Sequence, residues 1–264
     1  MKKFFKYLSL LMIFGLVACS GKSISRADAI EMLDAIREKQ ESDDFEKLNI
    51  LRLEYSEEGK EIPIEGETEA HKFNIVIAID IGARQAYGKQ ETRANEGEAE
   101  LEESWVYLEN DMFYLLSSSN GEKTYTTIAA QEDTEKQFGT EIIFGEIMMV
   151  GFALAMYSPN NVKGTLETLD DEDLPVKIKS ETYKTKGDGH LSIKISYTAI
   201  PGDEVLNGKG ELSVVFDNYL LASYKESVDF NQTDGRVINK IDLKMNYKKS
   251  GISLPKLDDF TLSA

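Results

Sequence analysis

Apolar positions recur at two periods along this chain, and the changes of period divide it. Ala29, Ile30, Leu33 and Ile36 fall at helical spacing, with Glu31, Asp34, Arg37 and Glu38 on other faces. Ser25-Arg26-Ala27-Asp28 in front gives a capping-box start, so the pattern predicts an amphipathic helix from Arg26 to Ser42. The period then falls to two. Leu51, Leu53 and Tyr55 alternate with Arg52 and Glu54, and Phe73, Ile75, Ile77, Ile79 and Ile81 form a long alternating set. Trp105 and Tyr107 oppose Val106 and Leu108. Phe113 to Ser118 leads through Asn120-Gly121 to Lys123–Ile128, a strong hairpin signal.

After Ile128 the alternation stops. Thr134 and Gln137 outline a second capping box. The stretch Ile142 to Tyr157 is apolar on nearly every side, interrupted by Gly145, Glu146 and Gly151, and Ser158-Pro159-Asn160-Asn161 ends it. A helix of this kind must be buried or inserted in a membrane. Its length of ~24 Å is below a bilayer core, so burial against a sheet is predicted. Val162 to Leu174 reads as a loop or short strand carrying the acidic run Asp170-Asp171-Glu172-Asp173. Alternation returns over Val176–Lys184, Leu191–Thr198, Glu211–Phe216, Tyr219–Phe230 and Val237–Tyr247, with turns at Asp188-Gly189, Asp217-Asn218 and Asp234-Gly235. Strands joined by short turns make an antiparallel sheet. About ten strands in one sheet must curl or split. The fold class is therefore α+β: a single large curved antiparallel sheet, a half-barrel, with an N-terminal helix and a central apolar helix on the concave face. No Pro/Ser-rich linker divides the chain after the first residues, so residues 26–264 read as one domain.

The chain opens Met1-Lys2-Lys3-Phe4-Phe5-Lys6, continues with an apolar run from Tyr7 to Val17, and reaches small residues. A basic start, a short apolar core and small residues form a secretory signal, here residues 1–18. The tetrapeptide Leu16-Val17-Ala18-Cys19 resembles the lipobox of bacterial lipoproteins. That resemblance implies cleavage before Cys19 and acyl groups such as palmitate on its thiol. It makes the chain a lipid-anchored, extracytoplasmic protein of a bacterial cell envelope, with residues 19–25 as tether. Its membrane partner is reached through acylated Cys19. The alternation and helices together resemble the LolA/LppX-like half-barrel lipoproteins, with Asn246-Tyr247-Lys248-Lys249-Ser250-Gly251-Ile252-Ser253-Leu254-Pro255 similar to the family's closing strand. The family carries lipids or lipoprotein acyl chains between sheet and helices, so the resemblance implies a lipid or acyl-chain ligand. It supplies no ligand motif for particular residues.

Charge narrows the partners. The net charge is −17, with 47 Asp+Glu against 30 Lys+Arg. Loss of residues 1–18, which hold three Lys and no acid, would deepen it to −20. Such a chain is a poor polyanion binder, so no nucleic-acid partner is expected. One Cys excludes an intramolecular disulfide, and with two His it cannot form the common His/Cys zinc sites. Gly-x-Ser-x-Gly, His-Glu-x-x-His and a phosphate-binding glycine loop are absent from the sequence. No catalytic residue, metal ligand or cofactor is expected, and the chain reads as no enzyme. Asp229, Asn231 and Asp234 outline a calcium loop only superficially, since the register and closing Glu are missing. Glu98, Glu100 and Glu102 around Ala99 and Leu101 suggest a strand with an acidic solvent face.

Two functions fit. In the first, an apolar ligand lies between sheet and helix, and Trp105, Phe144, Met148, Met149, Phe152 and Met156 line its cavity. In the second, those residues are packed core, and an acidic outer face meets a cationic protein or envelope component.

Overall fold

The computed structural model describes residues 21–42, 48–95, 97–171, 176–202 and 205–263. The signal segment, Cys19 and its lipobox, and Glu172 and Asp173 of the acidic run lie outside the described residues.

Among the described residues thirteen strands form one open sheet. In chain order they are β1 (Lys22–Ile24), β2 (Ile50–Pro63), β3 (Glu69–Asp80), β4 (Gln85–Ala94), β5 (Glu100–Glu109), β6 (Met112–Ser119), β7 (Glu122–Ala129), β8 (Val176–Thr185), β9 (Leu191–Ala199), β10 (Val205–Asp217), β11 (Leu220–Gln232), β12 (Gly235–Asn246) and β13 (Thr261–Leu262). Among the described residues four α-helices accompany them, α1 (Arg26–Glu41), α2 (Thr134–Gln137), α3 (Phe144–Met156) and α4 (Pro159–Thr168), with a π-helical turn at Phe138–Ile142 and a 3-10 turn at Leu257–Asp259. The strand order is β1-β8-β9-β10-β11-β12-β2-β3-β4-β5-β6-β7-β13. Two hairpin meanders, β2–β7 and β8–β12, are zipped together where β12 pairs antiparallel with β2. The chain leaves the sheet at β7, near one edge, and re-enters at β8, near the other, so α2–α4 must cross over it. β1 and β13 end the order, and the right-handed twist of each successive pair coils so wide a sheet. The pairing is antiparallel except at β13, which runs parallel to β7.

Local chemistry accounts for most of these elements. Asn120-Gly121 turns with φ of 48° and 90°, and Asn110-Asp111 with 48° and 58°. These left-handed pairs match the strand twist of two-residue hairpins. The β10–β11 turn is centred on Asn218-Tyr219, one residue beyond the expected Asp217-Asn218, with both residues at positive φ. The Tyr219 N–H is held there by the Gly189 carbonyl at 2.9 Å.

Four expectations change. β1 belongs to the sheet, pairing Lys22 with Thr185 and Ile24 with Tyr183, so the expected tether is partly strand. β4 is a full strand that apolar alternation did not reveal. Ser158-Pro159-Asn160-Asn161 opens a new helix: Ser158 caps it, accepting from Asn161 N–H, and Pro159 takes its first position. Val162 to Thr168 is therefore helix α4 and not a loop or strand. Finally, Asp133 rather than Thr134 caps α2, accepting from the Lys136 N–H at 3.0 Å.

The capping box at α1 is complete. Ser25 Oγ accepts from the Asp28 N–H, and Asp28 Oδ2 accepts from the Ser25 N–H, both at 3.1 Å. We expect Ser25→Ala to lower stability by about 1 kcal/mol in urea unfolding at pH 7. The hydrogen bond from the Ser25 backbone holds the Asp28 carboxyl below the usual carboxylate range. That contribution is present above the unfolded pKa of ~3.9 and is lost as pH falls through the lower folded value. Asp28→Asn is therefore expected to destabilise at pH 7 and to match the parent in strong acid.

Candidate functional site

The two faces of the sheet differ. One carries the main core, where Ala29, Leu33 and Ile36 of α1 and Val162 and Leu166 of α4 meet Leu53, Ile77, Ile193, Val214 and Leu243 of the strands. α1 and α4 are also tied by Lys163 Nζ to Asp34 Oδ2 at 2.7 Å. Arg26 joins α1 to Glu181 of β8 at 2.7 Å and to Asp170 beyond α4 at 2.6 Å. Asp170 thus serves a structural pair. The opposite face holds a smaller aromatic cluster of Trp105, Tyr107, Leu116 and Phe260. Cross-strand pairing of Tyr87 with Trp105 and of Trp105 with Leu116 puts all three on that side. Trp105 packs edge-on to Phe260 at 5.9 Å and 80°. It lies across the sheet from the helices and does not line a space beneath them, which corrects the sequence expectation.

α3 is pinned at its ends and loose between. Ile143, just before it, is buried, and its N–H donates to the Phe138 carbonyl at 3.0 Å. Tyr157, just after it, stacks on Tyr224 at 4.0 Å. Within α3 only Val150 is buried. Phe144, Met148 and Phe152 are 56%, 57% and 68% exposed, so they face away from the sheet. The predicted burial of this helix against the sheet is therefore wrong over most of its length. The physical reason lies beneath it. Ile75 and Ile77 share the floor under its first half with Gly88, Gln90, Glu102, Ser104, Ser117 and Ser119, so few large apolar side chains rise to meet the helix there. Glu102 lies on the helix-bearing side of β5, and Glu98, Glu100 and Glu102 are all exposed, as the acidic alternation suggested. Among the described residues no single helix is long and apolar enough to cross a membrane.

Two clefts remain between α3 and the sheet. The first, about 620 Å³, has that mixed floor and is bordered by Gly145, Glu146 and Met149. The second, about 520 Å³, lies under the end of α3 and under α4. Its walls are Met156, Val162 and Leu166 from the helices and Ile178, Ile193, Ile195, Leu212, Val214, Val228 and Phe230 from β8–β11. Of the six predicted lining residues, Met149 and Met156 border these clefts, while Phe144, Met148 and Phe152 point outward.

Two glycines lie beneath aromatic rings of the second cleft's wall. Gly210 is paired with Tyr197, and Gly208 with Phe230. A Cβ on either glycine would enter the neighbouring ring, so each ring lies across a bare stretch of backbone. Tyr197, Tyr224 and Glu226 complete the wall. The Tyr224 hydroxyl donates to Glu226 Oε2 at 2.7 Å, and the Tyr197 hydroxyl reaches Oε1 at 3.5 Å. Burial, together with the nearby Glu226 carboxylate, pushes the Tyr197 phenol up to about 12 and raises Tyr224 as well. Both therefore act as protonated donors at neutral pH. Next to the cleft, Glu57 accepts from the Tyr55 hydroxyl at 2.8 Å and from Asn239 at 3.3 Å. Pattern reading of the sequence missed Tyr197, Tyr224 and Glu226. The signal was there as two Tyr-x-Glu repeats, Tyr55-Ser56-Glu57 and Tyr224-Lys225-Glu226, on inward positions of strands.

The face without helices also has a concavity, about 840 Å³, but its side chains are charged. Lys89, Lys194, Lys225, Lys240 and Lys244 interleave there with Glu54, Glu58, Glu91, Glu211 and Asp242. Lys225 pairs with Asp242, and Lys72 with Glu58, each at 2.8 Å. Within this concavity the two signs interleave. Asp229 is engaged by Arg236 through two hydrogen bonds of 2.7 and 2.8 Å, which explains its place without calcium.

The class defined so far is an α+β protein with one open, mainly antiparallel sheet and helices crossing one face. No family model and no curated protein matches the chain. Solved structures with some likeness include one described as lipid-protein interactions in lipovitellin, at 10% identity and a TM-score of 0.25. It covers 81% of this chain, which spans only 26% of that one. Another is the S-type phycobiliprotein lyase CPES from Guillardia theta, at 8% identity and a TM-score of 0.18, covering 74% of this chain and 88% of that one.

Proposed function

We propose that this chain is a lipid-anchored protein of a bacterial cell envelope that holds an acyl chain or other apolar ligand under α3 and α4. The observation that carries this reading is the second cleft: about 520 Å³ with apolar walls, left unfilled by its own covering helices. Ligand sites are typically concave, mostly apolar and furnished with few polar groups. α3 supports the same reading, because it shows apolar side chains outward as well as inward. Acylation at Cys19 would set this surface near a bilayer. Only Ser20 and Gly21 separate Cys19 from the start of β1, a reach of ~11 Å at most. The role is binding and not catalysis. The alternative, a packed core serving an acidic docking face, is weakened by the clefts and by the mixed charges of the open face.

Native mass spectrometry of the full-length chain taken from its own envelope is expected to show a co-purifying lipid. A neutral fluorescent probe such as N-phenyl-1-naphthylamine should bind the delipidated protein. Val228→Trp, which puts an indole into the cleft from a half-buried wall position, is expected to weaken that binding at least tenfold while leaving the far-UV spectrum unchanged. Absence of both lipid and probe binding would remove the proposal.

A further inference from the structure

The apolar cleft has a charged end. Among its described lining residues, Glu226 is the only acidic or basic side chain. Each of its oxygens receives one phenol, from Tyr224 and from Tyr197, and each keeps further acceptor capacity. Three aromatic rings gather there, since Tyr157 stacks on Tyr224 and all three tyrosines line the cleft. A carboxylate beside apolar walls is unfavourable unless a donor or opposite charge meets it. A ligand carboxylate in the same place would instead face a like charge at short range. An ammonium group reverses both effects, and tyrosine faces attract it further.

We infer that the cleft selects an amphiphile ending in an ammonium group, its chain among the aliphatic walls and its cationic end against Glu226, Tyr197 and Tyr224. This inference rests on the cleft being the ligand site and adds the chemistry of the head group.

The test compares three probes by calorimetric titration of the full-length chain at pH 7.5 and moderate salt. They are dodecyltrimethylammonium below its micellar concentration, dodecanoate of equal chain length, and tetramethylammonium. The long-chain cation is expected to bind at least tenfold more tightly than dodecanoate, and tetramethylammonium at least tenfold more weakly than the long-chain cation. Glu226→Gln keeps an acceptor for the Tyr224 hydroxyl but removes the charge, and it should reduce the cation preference about tenfold. Glu211→Gln, an equal charge change on the opposite face, should leave the preference intact. Equal binding of the two long-chain probes overturns the head-group inference and leaves the cleft reading standing. So does a preference that survives Glu226→Gln or falls equally in Glu211→Gln. Failure of both long-chain probes to bind overturns the cleft reading itself.

Discussion

Phe138→Ala is expected to lower the unfolding free energy by about 3–5 kcal/mol, the range for truncating a buried aromatic ring. Phe138 is fully buried, and its ring stacks on that of Phe113, equally buried in β6, at 5.9 Å and 13°. Its carbonyl also receives the Ile143 N–H, so the residue ties the start of α3 to the sheet. The informative comparison is Phe152→Ala in α3. That side chain is mostly exposed, and its loss is expected to change stability by no more than about 0.5 kcal/mol. Urea unfolding of the two variants measures both. Similar losses would mean that α3 packs in solution as its composition suggests and not as the structure places it. Phe138→Ala should also weaken binding of the neutral probe, because it frees one of the two ends that hold α3 over the clefts.

Gly210→Val should destabilise the protein by about 1–3 kcal/mol, as overpacking does, and close the apolar cleft. The new side chain would occupy the space of the Tyr197 ring, which must swing away from β10 and release Glu226. Thermal unfolding reads the first effect and probe binding the second. Tyr197→Ala removes the obstructing ring, so in the double variant the valine should cost clearly less than it does alone. Residues in contact show such non-additivity, whereas independent sites simply add. Additive losses, or an unchanged melting temperature for Gly210→Val, would show that the ring does not rest on Gly210.

These two variants also mark the border between what is legible in the sequence and what is not. β2, β3 and β9 are readable because their apolar residues alternate, and β6 because its apolar run leads to Asn120-Gly121, which announces its own turn. β4 is not, because Lys89, Gln90, Glu91, Thr92 and Arg93 follow one another with no apolar period. β10 is readable only from Glu211 onward. Its Gly208 and Gly210 lower strand propensity, yet they are needed where Phe230 and Tyr197 lie across the backbone. The start of α4 was available in Ser158-Pro159, a cap followed by a first-turn proline. The same pair also suits the end of a preceding helix.

Of the site, the sequence alone marked the apolar stretch from Ile142 to Tyr157 but misassigned its surroundings. Composition shows that a helix is greasy, not what lies beneath it. Alternation similarly shows that a strand has two faces, without saying which face the helices cover. Trp105 therefore fell on the far side, and Glu102 on the near one. Which residues meet is decided by cross-strand register, and register is a property of pairs distant in the chain. Ser104 is set beside Ser117 and Gly88, and Gly210 beside Tyr197, only once the meanders are assembled. Local sequence thus determined the helical and extended segments and several of their turns. The tertiary structure decided that α3 lies over a floor of mostly small and polar residues with Ile75 and Ile77 among them, stays largely exposed, and leaves an apolar cleft beside Glu226. Burial depends on the partner surface as much as on the residue itself.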